Sequence, residues 1–159
     1  MVHVSRPDDA ERRRTVRSVI DANRFMTLAT ADEQGVPWAT PVWFTCPDER
    51  RFLWVSVPTT RHSRNIASRP EVAIVIYDSR TTPAERQAVY VEATATELAG
   101  AEVDAGIAAF SRESVSQGLS EWSRKDVTVA GRFRLYQATA TECFILADGV
   151  DERLSVPLP

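Results

Sequence analysis

Apolar and polar positions along this chain of 159 residues change period several times. Between Asp8 and Asn23, Val16, Val19 and Ile20 recur at helical spacing, and Asp8 or Asp9 can cap the first turn. This predicts a first helix running to about Asn23. Phe25 to Ala31 reads as a strand, and Asp32-Glu33-Gln34-Gly35 as the turn after it. From Val36 to about Thr45, Trp38, Thr40, Val42 and Phe44 alternate with Ala39, Pro41, Trp43 and Thr45, the period of a second strand. Pro41 lacks an N–H, so it marks that strand as an edge or a bulge. Cys46 to Arg50 is a hairpin turn, and Phe52 to Val57 a third strand.

A short helix follows, opened by Thr59 or Thr60 and closed by Pro70. Val72 to Tyr77 is almost continuously apolar, which predicts a strand buried on both faces. The polar stretch 78–85 contains Pro83 and reads as a loop. Gln87 to Leu98 alternates again and is rich in Val and Thr. Gly100 precedes a helix with Val103, Ile107 and Phe110 on one stripe. Residues 111–131 are polar and ambiguous, with Trp122 as their large anchor. Arg132 to Leu146 is a long last strand, and 149–159 a loop-like tail. Short connections argue antiparallel pairing. Six such strands flanked by helices predict a mainly β domain, a small antiparallel barrel, closed or split, which removes exposed edges. One domain covers residues 1–159, with its core over about 10–147.

Composition narrows the class. Apolar residues make up 43% and charged residues 26%, as in ordinary globular proteins. A net charge of −3 gives no support for nucleic acid or an anionic membrane as partner. No apolar run reaches spanning length and the N-terminus lacks the core of a signal peptide, so a cytoplasmic protein is expected. Cys46 and Cys143 stand far apart and form no CxxC pair. With only His3 and His62 as histidines, a metal site is not expected. His3 reads as part of a disordered terminus. There is neither a Gly-x-Ser-x-Gly elbow nor a Gly-x-Gly-x-x-Gly loop. Arg and Ala are abundant and Lys125 is the one lysine, a bias of codon usage more than of chemistry.

The chemistry concentrates in residues 58–70. A helix N-terminus presents unpaired N–H groups and a partial positive charge, which suit an anion. Arg61 and His62 fall in the first turn of the short helix and Arg64 follows. Cations there oppose the helix dipole, and a bound phosphate would explain their position.

Three segments together give the chain a family likeness. They are Phe25-Met-Thr-Leu-Ala-Thr-Ala with Gly35-Val-Pro-Trp-Ala-Thr-Pro-Val-Trp-Phe; Phe52-Leu-Trp-Val-Ser-Val-Pro-Thr-Thr-Arg-His-Ser-Arg-Asn-Ile with Arg69-Pro70; and Val89-Tyr-Val-Glu-Ala-Thr-Ala-Thr-Glu-Leu. In this order the chain resembles the FMN-binding split-barrel superfamily, typified by pyridoxamine 5′-phosphate oxidase. The resemblance covers roughly residues 10–147 and implies a six-stranded antiparallel split β-barrel of the FMN-binding type. It implies that Thr40, Pro41, Val42, Trp43 and Phe44 of the second strand run beside the flavin. It places Val55 and Ser56 along the same cofactor, Arg61 and His62 on its phosphate, and Gln87 near it. His62 stands where the family usually has Lys. The tail carries Arg153-Leu154-Ser155-Val156-Pro157 without a preceding Trp-x-x-x-Arg run, a departure from the oxidases that act on vitamin B6.

The resemblance thus implies a flavin-dependent oxidoreductase working on a small-molecule substrate as a homodimer. Trp122, Arg132 and Arg134 are candidates to complete the site of the other subunit. Trp38 and Trp54 read as core or dimer contacts, and Trp43 as a border of a flat ligand. Two alternatives stand beside FMN: the 8-hydroxy-5-deazaflavin coenzyme in a reductase, and a non-catalytic protein that binds flavin or haem.

Overall fold

The computed structural model describes residues 6–147 and 151–159. His3 lies outside the described residues. Helix α1 (Asp9–Ala22) opens as its sequence predicts. The Asp8 carboxylate accepts from the Glu11 N–H, and the Glu11 carboxylate accepts from the Asp8 N–H, both at 2.8 Å. Its stripe of Val16, Val19 and Ile20 is buried in the main core. The strands are β1 (Phe25–Ala31), β2 (Pro37–Trp43), β3 (Arg51–Ser56), β4 (Glu71–Tyr77), β5 (Ala88–Glu97), β6 (Arg134–Leu146) and β7 (Arg153–Ser155). Helix α2 (Arg61–Ser68) joins β3 to β4, and α3 (Glu102–Ser116) with a 3₁₀ turn (Arg124–Asp126) joins β5 to β6.

All pairings are antiparallel, in the order β2-β1-β4-β5-β6-β3, with β7 added to β6. The two end strands meet at one place. Thr45, just past β2, exchanges N–H···O bonds of 3.0 and 2.9 Å with Leu53 of β3. Beyond this bridge β2 and β3 part, so the barrel is split along that seam. Pro41 fits this edge because no ladder bond is asked of its missing N–H. The expected split antiparallel barrel is therefore the observed architecture, extended by one short strand.

The barrel interior is filled by Met26, Leu28, Phe52, Trp54, Ile74, Ile76 and Val89, all 1% exposed or less. Trp54 stacks on Tyr136 with ring centroids 5.7 Å apart. A second core lies outside the barrel, where Val103, Ile107 and Phe110 of α3 cover Leu53 and Leu135. Gly106 lets the helix sit this close: a Cβ there would come within 2.8 Å of the Leu98 side chain and 2.9 Å of that of Leu135.

Several expectations are corrected. Strand β2 ends at Trp43, so Phe44 lies past it and is buried against Phe52. Strand β4 is not buried on both faces. It alternates, leaving Ala73 and Tyr77 exposed, because a barrel wall has only one inner side. The ambiguous stretch 111–131 begins as the last turns of α3, and β6 starts at Arg134 and not Arg132. The tail is not loop-like. It forms β7, and Leu154 and Val156 enter the main core. Of the two tryptophans read as core or dimer contacts, Trp54 is core and Trp38, at 40% exposed, lies outside it. Among the described residues, no helix is long and apolar enough to cross a membrane.

Candidate functional site

The split between β2 and β3 opens into a cleft of about 820 Å³. One side is the parted strand edges, Pro41 to Trp43 of β2 and Val55 and Ser56 of β3. The opposite side is α3 and the loop after it, with Phe110, Leu119 and Trp122. His62 of α2 closes one end.

That opposite wall is set by how α3 ends. Gly118 adopts φ +73°, which a side chain would disfavour, and its N–H donates to the Val115 carbonyl (2.9 Å). The Leu119 N–H donates to the Ser114 carbonyl (2.9 Å), completing a Schellman stop that turns Leu119 into the cleft wall. The loop is then held down by hydroxyls. Ser114 Oγ donates to the Ser120 carbonyl at 2.6 Å, and Ser111 Oγ accepts from the Trp122 N–H at 2.8 Å. Trp43 meets Phe110 edge-on at 4.8 Å, and its indole N–H donates to Gln117 Oε1 at 3.2 Å.

At the end of the cleft, α2 is capped by Thr60, whose hydroxyl accepts from the Ser63 N–H (3.4 Å) and donates to Ser63 Oγ (2.8 Å). The helix is pinned to β1 by a buried bond from Asn65 Nδ2 to Thr30 Oγ1 (2.9 Å). His62 is buried, with Nε2 2.8 Å from Ser56 Oγ and 3.2 Å from Thr60 Oγ1. Burial holds its pKa below the ordinary histidine value, favouring the neutral ring. The first-turn arginines have partners of their own. The Arg61 guanidinium lies over the Trp38 ring, 4.7 Å from its centroid, and Arg64 donates to the Thr59 carbonyl.

Of the residues implicated from sequence, the structure gathers Pro41, Val42, Trp43, Val55, Ser56 and His62 around one cleft. Thr40 is half-buried beside it and does not line it; Arg61 sits on the outer side, against Trp38. Phe44 is turned into the barrel core, because it follows Trp43 past the end of the strand. Gln87 is exposed, one residue before β5, away from the cleft. Trp122 lines the cleft of its own chain. Arg132 stacks on Phe133, and Arg134 donates to the carbonyls of Thr128, Gly131 and Phe133, so it braces the loop before β6.

Phe110, read from sequence only as part of a helix stripe, also lines the cleft, with Ser114, Gly118, Leu119 and Ser120. The available signal was Gly118 just beyond a helical pattern, a stop that fixes where the loop returns. The thiols take no visible part: burial pushes Cys46 up to about 12 and Cys143 to about 11. Among the described residues, no three His, Cys, Asp or Glu side chains gather as a metal site.

Comparison with known proteins adds to this geometry. The chain spans 84% of its own length in a 32%-identical match to the pyridoxine/pyridoxamine 5′-phosphate oxidase of Azorhizobium caulinodans. It spans 85% in a 33%-identical match to the enzyme of that name from Anaeromyxobacter dehalogenans. It covers only 58% and 65% of those two relatives. Among solved structures, a haem-binding protein of Mycobacterium smegmatis superposes with a TM-score of 0.71 at 21% identity, over 96% of this chain and 60% of that one. The haem storage protein HutZ of Vibrio cholerae gives 0.65 at 20%, over 86% and 96%. At these identities the structures show a shared fold. The sequence profile of the pyridoxamine 5′-phosphate oxidase family matches residues 13–147, so the chain belongs to that family.

Proposed function

We propose that the protein is an FMN-binding oxidoreductase whose cofactor lies in the cleft at the barrel seam. The observation that carries this reading is the convergence of Pro41–Trp43, Val55–Ser56 and the start of α2 on one concave site. Clefts of 300–1,000 Å³ lined by apolar groups with a few placed polar ones are typical of cofactor sites. The residues fit FMN in kind. The parted edges of β2 and β3 offer a flat, mainly apolar strip for a ring system. The first turn of α2 offers N–H groups for a phosphate, and the side chains of Ser56, Thr60 and His62 beside it would exchange their mutual bonds for bonds to that phosphate. Arg61, preorganised by Trp38, stands beside that turn and reaches a phosphate by a change of rotamer. FMN, when bound, supplies hydride transfer, and the protein supplies binding, orientation and exclusion of water.

Haem is the weaker occupant. Of the two histidines in the sequence, His62 is the one among the described residues, and its Nε2 is engaged by Ser56 and Thr60. The deazaflavin coenzyme shares the ring but carries a polyanionic tail, for which the cleft lining offers no arginine or lysine. We place the working form as a twofold homodimer. The test is a titration of ligand-free protein with FMN and riboflavin. FMN should bind more tightly, and Arg61→Ala should weaken FMN alone by about ten- to a hundredfold, the loss of a charge-assisted bond. Equal loss for both ligands, or no binding of either, would refute the assignment.

A further inference from the structure

The two sides of the cleft differ in chemistry. The α3 side presents Leu119 and Trp122 over the buried Phe110, and Trp43 of β2 borders it. Phe110 lies edge-on to both indoles, at 4.8 Å from Trp43 and 5.7 Å from Trp122. Most of the polar groups along this side have partners within the protein. The Trp43 indole N–H is engaged by Gln117, the Ser114 hydroxyl by the Ser120 carbonyl, the Trp122 backbone N–H by Ser111, and the Gly118 and Leu119 N–H groups by α3 itself. No lysine, arginine or carboxylate stands among the described lining residues, and His62 lies at the far corner, bonded to Ser56.

A charged group set against this wall would lose its water and find no partner. A flat uncharged ring loses little there and gains edge and face contacts with the Trp43 and Trp122 rings, which Phe110 backs. We infer that the α3 wall is a subsite for an uncharged planar aromatic compound, the second reactant of the site, and that it rejects phosphorylated rings. Naming that compound the reactant rests on the flavin reading; the subsite itself does not. Pyridoxamine 5′-phosphate would bring both a phosphate and an amine to this wall, and neither has a counter-charge in it.

A matched pair of probes tests this: 1-naphthol and 1-naphthyl phosphate share a ring and differ in charge. Equilibrium dialysis against FMN-loaded protein should show naphthol bound, with naphthyl phosphate weaker by about tenfold or more. Leu119 is half-exposed, so Leu119→Asp should fold and lose about tenfold in naphthol affinity, with its FMN uptake measured alongside. Equal or tighter binding of naphthyl phosphate, or no binding of naphthol, overturns the inference. Loss of FMN and naphthol together in Leu119→Asp overturns the separation of the two walls. Naphthol preference in a protein that takes up no FMN would overturn the flavin reading and leave the aromatic subsite standing.

Discussion

Ser56 at the end of β3 and His62 in the first turn of α2 share a buried hydrogen bond of 2.8 Å between Oγ and Nε2. This bond ties the strand that borders the cleft to the helix that faces it. It also places the one imidazole of the described residues where a protonated ring would have to be desolvated.

The pH dependence follows from that burial. The folded pKa of His62 is depressed below its ordinary 6.5, so the unfolded chain binds the proton more readily. The contribution of His62 is therefore neutral above about pH 6.5, and stability falls as pH drops through and below that value. Urea unfolding of ligand-free protein between pH 5 and 7.5 should show this slope, and His62→Gln should flatten it. Ser56→Ala should cost about 1 kcal/mol at neutral pH through the lost bond. A slope unchanged in His62→Gln would show that other groups set it. An anion bound at this corner should reverse the preference, drawing the His62 pKa up and making FMN affinity rise toward acid pH.

The tail makes the second prediction. Leu154 is 2% exposed and Val156 5%, both within the main core. Arg12 donates to the Ser155 carbonyl (2.7 Å), and Arg13 to those of Pro157 (3.0 Å) and Leu158 (3.1 Å), so α1 clamps the last residues. Leu154→Ala should destabilise by about 2–5 kcal/mol, and removal of residues 151–159 should prevent stable folding. Thermal unfolding followed by circular dichroism measures both. A truncated chain that melts like the full one would place the tail outside the core.

The tail also shows where the sequence is legible. Periodicity exposes α1, β5 and β6 because each is long and one-sided, and the Asp8 cap and Gly35 turn punctuate them. A strand of three residues such as β7 has no period to read, and its place is set by long-range clamps from Arg12 and Arg13. Strand β4 misleads in another way: Ala73, Val75 and Tyr77 look like interior residues, and only the closed topology reveals that they face outward. Half of the site was visible because β2, β3 and α2 carry local motifs. The α3 wall was hidden, since Phe110, Ser114 and Leu119 reach the cleft through a helix stop and a loop return that span the second core. Phe44 and Gln87, set beside the cofactor by the resemblance, do not line the cleft of this chain, because where a strand begins or ends depends on pairing more than on pattern.

The stacked pair at the edge of α2 gives the third prediction. Trp38 is exposed, yet its ring carries the Arg61 guanidinium at 4.7 Å. A cation–π contact at such a site contributes about 0.5–1 kcal/mol and restricts the arginine to the neighbourhood of the helix start. Trp38→Leu should weaken FMN by about two- to fivefold, less than Arg61→Ala, and leave riboflavin unchanged. The double variant should lose no more than Arg61→Ala alone, because Trp38 acts only through Arg61. Additive losses would give Trp38 a contact of its own with the ligand.

The last prediction concerns the outward face of the barrel. Along β4 the outward positions are Glu71, Ala73, Val75 and Tyr77, and Tyr77 is 52% exposed; Phe25 at the start of β1 is 58% exposed. Two shallow grooves of about 440 and 360 Å³ run over this face, bordered by Ala29, Ala73, Val75 and Tyr90. Small and aromatic side chains dominate this strip, with Glu71, Glu92 and Arg153 set among them, the mix of apolar and polar groups found on interfaces. A twofold partner would cover the same strip on both chains, which is the commonest way to hide such a face. Light scattering should therefore return twice the chain mass at micromolar concentration. Ala73→Arg puts a charge at the centre of the strip without touching the barrel interior, and it should give a folded monomer. A wild-type monomer would sink the proposal, and an Ala73→Arg dimer would move the interface to another face. If FMN uptake falls in the monomeric variant while its thermal unfolding is unchanged, the partner chain helps to build the cofactor site.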